Sequence, residues 1–335
     1  MRFISGIQPT GAIHIGNYFS MIKPMIELQY NIKTESTVET NFTSFNEVFL
    51  FIADYHTVNT TPSPDILRRN IIDMVVGCLA CGLDYKKTIF FRQSDINFVS
   101  ELAWILSCTT PVNLLKRCHG YKEKISNGIV PNAGLFYYPI LMAADILLYD
   151  SDIVLVGKDQ KQHVEMARDI AIRFNNLYGD VLKIPSPKIL SDVAVVPGID
   201  GRKMSKSYRN TINIFDTDDN IKKSIFSIIT DSKTLDKPKN PDDCLLFSIY
   251  KLISTEKDIN VMRDIYKSGN FKYKEIKEKL YHSFLHFFQN IRKLKDQLIS
   301  DSDNIHNIIQ FGRNRALKIA SDVILRVKSA IGLSK

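Results

Sequence analysis

Phe3-Ile4-Ser5-Gly6-Ile7 runs into Gln8-Pro9-Thr10-Gly11 and then into His14-Ile15-Gly16-Asn17, and the reading of this stretch decides the fold. The apolar run at 3–7 predicts a strand, 8–11 a turn, and 18–28 a helix that tolerates Pro24. A turn that delivers His, Gly and Asn to a helix start builds an anion site. Free backbone N–H groups and the positive end of the helix dipole face the ligand, Gly16 permits close approach, and His14 and Asn17 add side-chain donors. By itself the tetrapeptide is a weak signal, because an ordinary strand-to-helix turn reads the same way.

The pattern repeats outward from there. Short apolar runs such as Phe49-Leu50-Phe51-Ile52-Ala53 and Ile153-Val154-Leu155-Val156 alternate with longer helical patterns, and 12 of the 15 glycines fall before residue 207. That is the signature of a βα-repeating α/β domain with a parallel sheet. After residue 207 the period becomes helical, with Ile276, Leu280, Phe284, Phe287, Ile291, Leu294 and Leu298 at three- and four-residue steps. Expected are an α/β domain over 1–206, an α-helical domain over 207–311, and a last helix over 312–335, opened by Gly312 and packing back on the first domain. The stretch 30–47 has no apolar period and reads as a surface loop.

With 335 residues, 44% of them hydrophobic, the chain can bury a large core, which excludes a disordered tail or a fibre. Net charge is +1 over residues 1–206 and +7 over 207–335. A field confined to one half points to an anionic partner, nucleic acid before membrane, and a solvated lysine-rich surface is the plain alternative. Five irregularly spaced cysteines, a start that enters a strand directly, and no apolar run of bilayer length lead us to expect a cytoplasmic protein with reduced thiols and no membrane contact.

The second chemical signal is Lys203-Met204-Ser205-Lys206-Ser207, preceded by Gly198 and Gly201. A fixed pentapeptide arises by chance in about one chain of this length in ten thousand. Two lysines on a glycine-hinged loop can close on a polyphosphate and neutralise charge moving onto a leaving pyrophosphate. Other constellations lack support. Cys78-x-x-Cys81 has no second ligand pair, so no metal site is expected there, and His282 and His286 lack the glutamate of a zinc protease. Walker, Gly-x-Gly-x-x-Gly and Gly-x-Ser-x-Gly patterns are missing from the sequence, removing P-loop, dinucleotide and serine-hydrolase readings.

With its first signature ending in Asn17 and its second intact, the chain resembles the class I aminoacyl-tRNA synthetases. Three further stretches make it similar to the tryptophanyl family: residues 5–11, Tyr138-Pro139-Ile140-Leu141-Met142-Ala143-Ala144-Asp145-Ile146-Leu147-Leu148-Tyr149, and Gly157-Lys158-Asp159-Gln160-Lys161-Gln162-His163. The resemblance implies a Rossmann-like catalytic domain, a helical anticodon-binding domain, a homodimer, and ATP with Mg²⁺, L-tryptophan and tRNA(Trp) as substrates and partners. It implies catalytic roles for His14, Asn17, Lys203 and Lys206. ATP contacts would come from Gln8, Pro9, Thr10, Gly16, Asn17, Gly157, Lys158, Asp159, Val195, Lys203, Met204, Ser205, Lys206 and Ser207, and tryptophan contacts from Ile4, Gln8, His56, Tyr138, Met142, Asp145 and Gln160. A tyrosine-specific synthetase, or a synthetase-like nucleic-acid-binding protein that charges no tRNA, are the alternatives. Departures from the family pattern are a long 30–47 loop, the segment Lys116-Arg117-Cys118-His119-Gly120-Tyr121-Lys122-Glu123-Lys124, and Ile4 where relatives often carry Phe.

Composition alone leaves Asp145 open. Amid Met142, Ala143, Ala144, Ile146, Leu147 and Leu148 a carboxylate either faces solvent or is reserved for a donor. The resemblance makes it the acceptor of the indole N–H. A pocket built on that bond would reject phenylalanine about 10⁴–10⁵-fold by leaving the acid unpaired.

Overall fold

The computed structural model describes residues 1–30, 46–60, 63–118, 121, 126, 128, 130–157, 160–189, 196–230, 238–269 and 271–334. Five strands, β1 (Arg2–Ile7), β2 (Glu47–Ile52), β3 (Thr88–Arg92), β4 (Ile153–Val156) and β5 (Ser186–Ile189), form one sheet in the order β3-β2-β1-β4-β5. Every pairing is parallel, with Phe3 opposite Val48 and Ile153, and Phe49 opposite Ile89. β1 to β4 are largely apolar on both faces because helices cover both, whereas β5, at the edge of the sheet, alternates exposed and half-buried residues. Phe3, Ile7, Val48, Leu50 and Phe90 join one buried cluster, while Ile4, Phe49, Phe51, Phe91 and Val154 join the other.

Strand order reverses next to β1, so the crevice between the C-terminal ends of β1 and β4 is where such a sheet binds ligands. The loops that follow β1, β2, β3 and β4 bring His14, His56, Gln93 and Gly157 toward that end of the sheet. After β1, the helix begins as Ile15–Asn17, widens into a π-turn over Tyr18–Ile22, and resumes as Lys23–Tyr30. In the wide turn the Lys23 N–H reaches the Tyr18 carbonyl, which accommodates Pro24 one residue later, where an α-helical donor would be missing.

Beyond the sheet the chain is helical, with Asp218–Phe226, Leu245–Leu252, Glu256–Ser268 and Tyr273–Ile299. Ile276, Leu280, Phe284 and Phe288 are buried in the same cluster as Phe3 and Ile7, so the core is continuous between the sheet and the helices. Phe287, part of the apolar stripe of the sequence, is partly exposed, and its neighbour Phe288 takes the core position. Cys78 and Cys81 are core residues, and all five cysteines are free.

The final helix, Ser302–Ala330, starts ten residues earlier than expected, and Gly312 lies inside it as a contact point instead of opening it. A Cβ at Gly312 would land on the Phe90 carbonyl, so only glycine lets this helix lie against β3. Arg315 adds hydrogen bonds to the Lys86 carbonyl at 3.1 Å and the Thr88 carbonyl at 3.4 Å. Among the described residues no helix is long and apolar enough to cross a membrane.

Candidate active site

His14 caps the helix that follows β1 and is buried. Its Nδ1 accepts the Asn17 backbone N–H at 3.3 Å, and the Asn17 Oδ1 accepts the His14 backbone N–H at 3.3 Å, a reciprocal capping box. Burial first, and the Lys206 charge second, pull the His14 imidazole down to about 4, so it is neutral at physiological pH. With Nδ1 accepting, the ring proton sits on Nε2. The cap therefore leaves two neutral donors beside the helix N-terminus, His14 Nε2–H and the Asn17 amide NH₂.

The double-lysine loop comes down onto this turn. Residues 13–15 are strapped to 212–214 by the Ile15 N–H on the Ile212 carbonyl and the Ile214 N–H on the Ile13 carbonyl, both at 3.0 Å. Buried Met204 sits over Gly16, where a Cβ would come within 3.3 Å of the Met204 Cβ and closer still to the His14 ring. Asn210 braces the loop from inside: its Nδ2 donates to Asp200 at 2.7 Å and to the Lys203 carbonyl at 3.1 Å, and its Oδ1 accepts the Ser205 N–H at 2.7 Å. Lys206 Nζ reaches across to the Gly11 carbonyl at 2.9 Å and the Thr10 hydroxyl at 3.4 Å. Burial lowers this ammonium to about 8, and its two partners are neutral oxygens. A pocket of about 340 Å³ opens here, lined by Thr10, Gly11, Ala12, Lys206, Arg209, Thr211 and Asn213. Its charged groups are both cationic, the chemistry of a phosphate site.

A second group of the residues expected from the sequence, Tyr138, Met142 and Asp145, stands on the helix Ala133–Leu147. Asp145 is 2% exposed, which excludes the solvated reading that composition leaves open. Its Oδ2 is 2.8 Å from His56 Nε2, and Gln93 Nε2 donates to Oδ1 at 2.7 Å and to Oδ2 at 2.8 Å. Burial pushes the carboxyl up from its ordinary range, and the hydrogen bonds and charge of His56 and the amide of Gln93 oppose that. With two donors in place, a substrate lacking a side-chain donor does not leave this acid unpaired. The strong rejection of phenylalanine expected from the sequence loses that basis.

Two turns back on the same helix, the Tyr138 hydroxyl is 2.7 Å from His163 Nε2 and 3.1 Å from the Cys118 thiol. Burial pushes the Cys118 thiol up, but hydrogen bonds from His163 and Tyr138 outweigh it and bring it down to about 7.

The structure thus assembles His14, Gly16, Asn17, Thr10, Met204, Ser205 and Lys206 in one place, and His56 and Asp145 in another; Tyr138 and Met142 pack against the core around Asp145. Gln8 and Ser207 are exposed beside the turn and the loop, while Pro9 is buried. Lys203 is exposed and pairs with Pro197 in an antiparallel bridge. Ile4 is fully enclosed in the core on β1. Gln160 caps the helix Lys161–Tyr178, and Gly157 is exposed beyond β4. Lys158, Asp159 and Val195, most of the 30–47 loop and part of 116–124 lie outside the described residues. Sequence reading misses Gln93, a glutamine after an apolar run, and Arg209, whose signals are its place two residues past the double-lysine motif and its left-handed backbone (φ 53°).

A parallel sheet whose first turn meets a double-lysine loop at the switch-point crevice defines the class I synthetase architecture. Residues 1–289 match the family described as tRNA synthetases class I (W and Y), and the chain belongs to that family. It falls in the tryptophanyl branch. It is 45% identical to a tryptophan–tRNA ligase of Fusobacterium nucleatum, over 99% of this chain and 98% of that one. Its identity to the Rhodopirellula baltica tryptophan–tRNA ligase is 43%, over 99% and 100% of the two chains. Tryptophanyl-tRNA synthetase from Campylobacter jejuni, crystallised with ADP and tryptophan, superposes with a TM-score of 0.90 at 41% identity, covering 99% of this chain and all of that one.

Proposed function

We infer that the chain is a tryptophan–tRNA ligase: it activates L-tryptophan with ATP to tryptophanyl-adenylate and transfers the tryptophanyl group to tRNA(Trp). The observation that carries the chemistry is the meeting of Lys206 with the Thr10–Gly11 turn, 2.9 Å from Nζ to the Gly11 carbonyl. In the first step the tryptophan carboxylate attacks the α-phosphate, the bond to the β-phosphate breaks, and the electron pair leaves on pyrophosphate. Positioning and charge neutralisation dominate such a displacement. His14 Nε2–H and the Asn17 amide donate to phosphate oxygens, and Lys203 and Lys206 take up the negative charge on the leaving pyrophosphate. Gln8, Pro9, Thr10, Gly16, Met204, Ser205 and Ser207 shape the phosphate side, and Gly157, Lys158, Asp159 and Val195 the adenosine side. Asp145, His56, Ile4, Met142, Tyr138 and Gln160 hold the amino acid.

Among the described residues no cluster of three or more acidic, histidine or cysteine side chains could hold a metal, and no carboxylate lines the phosphate pocket. Mg²⁺ in this reading enters as part of the substrate, carried by the phosphates of ATP. Residues 1–206 form the catalytic domain, and residues 207–311 hold the anticodon end of the tRNA in a cytoplasmic homodimer. Pyrophosphate exchange tests the assignment: labelled pyrophosphate should enter ATP with tryptophan and not with tyrosine or phenylalanine. Equal exchange without amino acid, or a preference for tyrosine, overturns it.

A further inference from the structure

Asp145, which the reading above assigns to the amino-acid site, has a carboxylate that can accept about four hydrogen bonds. His56 takes one on Oδ2, and Gln93 takes one on each oxygen, at 2.7 and 2.8 Å. Gln93 itself has no freedom: it is 0% exposed, and its Oε1 accepts the Tyr55 backbone N–H at 3.0 Å, so its amide nitrogen is the atom that faces the acid. The segment carrying it, Gln93–Asp95, is held from outside by Arg313 of the final helix, whose Nε donates to the Asp95 carbonyl at 3.3 Å.

Resting on the tryptophan reading above, we propose that Gln93 is a positioning and specificity residue of the amino-acid site. It spans both oxygens of Asp145, and with His56 it leaves a single lone pair, on Oδ1, for one donor of the amino-acid side chain. An indole N–H supplies one donor and no acceptor, which matches that lone pair in number and sign. Gln93 also supplies a neutral donor where a cation would have overcompensated the acid. The other titratable groups facing Asp145 are His56, Asp54 and Tyr149, and Asp54 is itself satisfied by the Ser94 N–H at 3.0 Å and by Arg92 at 3.9 Å.

The test is the intact enzyme in pyrophosphate exchange with two variants. Gln93→Met keeps the volume and removes the donor; it should raise KM for tryptophan at least about tenfold with KM for ATP within twofold. Gln93→Glu places two carboxyls face to face, which share a proton and titrate together at a raised value. Below that value the introduced carboxyl donates to Asp145 as the amide did; above it the donor is lost. The KM of this variant for tryptophan should therefore approach the wild-type value in acid and climb as pH rises, a limb the wild type lacks. A Gln93→Met enzyme with wild-type KM for tryptophan overturns the proposal. So does a Gln93→Glu enzyme with the wild-type pH profile, which decides the matter if the methionine variant fails to fold. A wild-type enzyme with no tryptophan-dependent exchange would sink the parent reading instead, so the two failures are separable.

Discussion

Lys206 and His14 share one small volume, and their protonation states are set by it. Lys206 is held at about 8 by burial, with neutral oxygens as its partners, so the charge that the proposed mechanism sets against a triphosphate fades as pH rises past that value. In pyrophosphate exchange, kcat/KM for ATP should fall above about pH 8, and Lys206→Arg, which does not deprotonate there, should lack the limb. Lys206→Ala should lower the activation rate roughly 10²–10³-fold while KM for tryptophan stays within twofold. For His14 the sign runs the other way. Its folded value of about 4 lies below the ordinary 6.5, so the stability it contributes is present above 6.5 and is lost as pH falls toward 4. Urea denaturation between pH 7 and pH 4 should cost the wild type up to about 3 kcal/mol more than His14→Gln.

Among the elements, the final helix makes the sharpest demand on one residue. Alanine in a helix interior is ordinarily better than glycine by about 1 kcal/mol. At Gly312 that gain is outweighed, because the added methyl meets the Phe90 carbonyl, and backbone cannot turn aside as a side chain can. Gly312→Ala should lose about 1–3 kcal/mol net in urea denaturation, with Gly312→Val losing more. Sequence reading treats Gly312 as punctuation because local rules see a glycine's φ freedom and not its lack of a Cβ. The same blindness explains Gln93: nothing in Phe91-Arg92-Gln93-Ser94 distinguishes it until β3 ends beside Asp145. What is legible has a local cause. Residues 3–17 announce strand, turn and cap in order, and Lys203-Met204-Ser205-Lys206-Ser207 is too improbable a string to be accidental. The paired capping box, the strap between 13–15 and 212–214, and the Asn210 brace are long-range or geometric, and emerge only once the chain is folded.

For the whole molecule, the uneven charge governs binding. Of the +7 carried by residues 207–335, +2 lies in residues 207–311 and +5 in residues 312–335, the part of the final helix that lies against β3, while residues 1–206 are close to neutral. Binding of tRNA should then be driven by phosphate contacts to lysines and arginines of the helices and weaken about tenfold or more between 50 and 200 mM salt. Sedimentation of the enzyme with tRNA(Trp) at the two salt concentrations checks this: a dimer with bound tRNA at low salt, and free dimer plus free tRNA at high salt. A salt-independent complex, or a monomer throughout, would contradict the reading. The sheet carries a different liability. β3 is an end strand, and an end strand left bare is a template on which a stranger's strand can assemble. Gly312 and Arg315 occupy that template from a helix made late in synthesis. Until residues 302–330 have left the ribosome, the nascent sheet carries an open seam, and its safety from aggregation rests on how quickly that helix closes it.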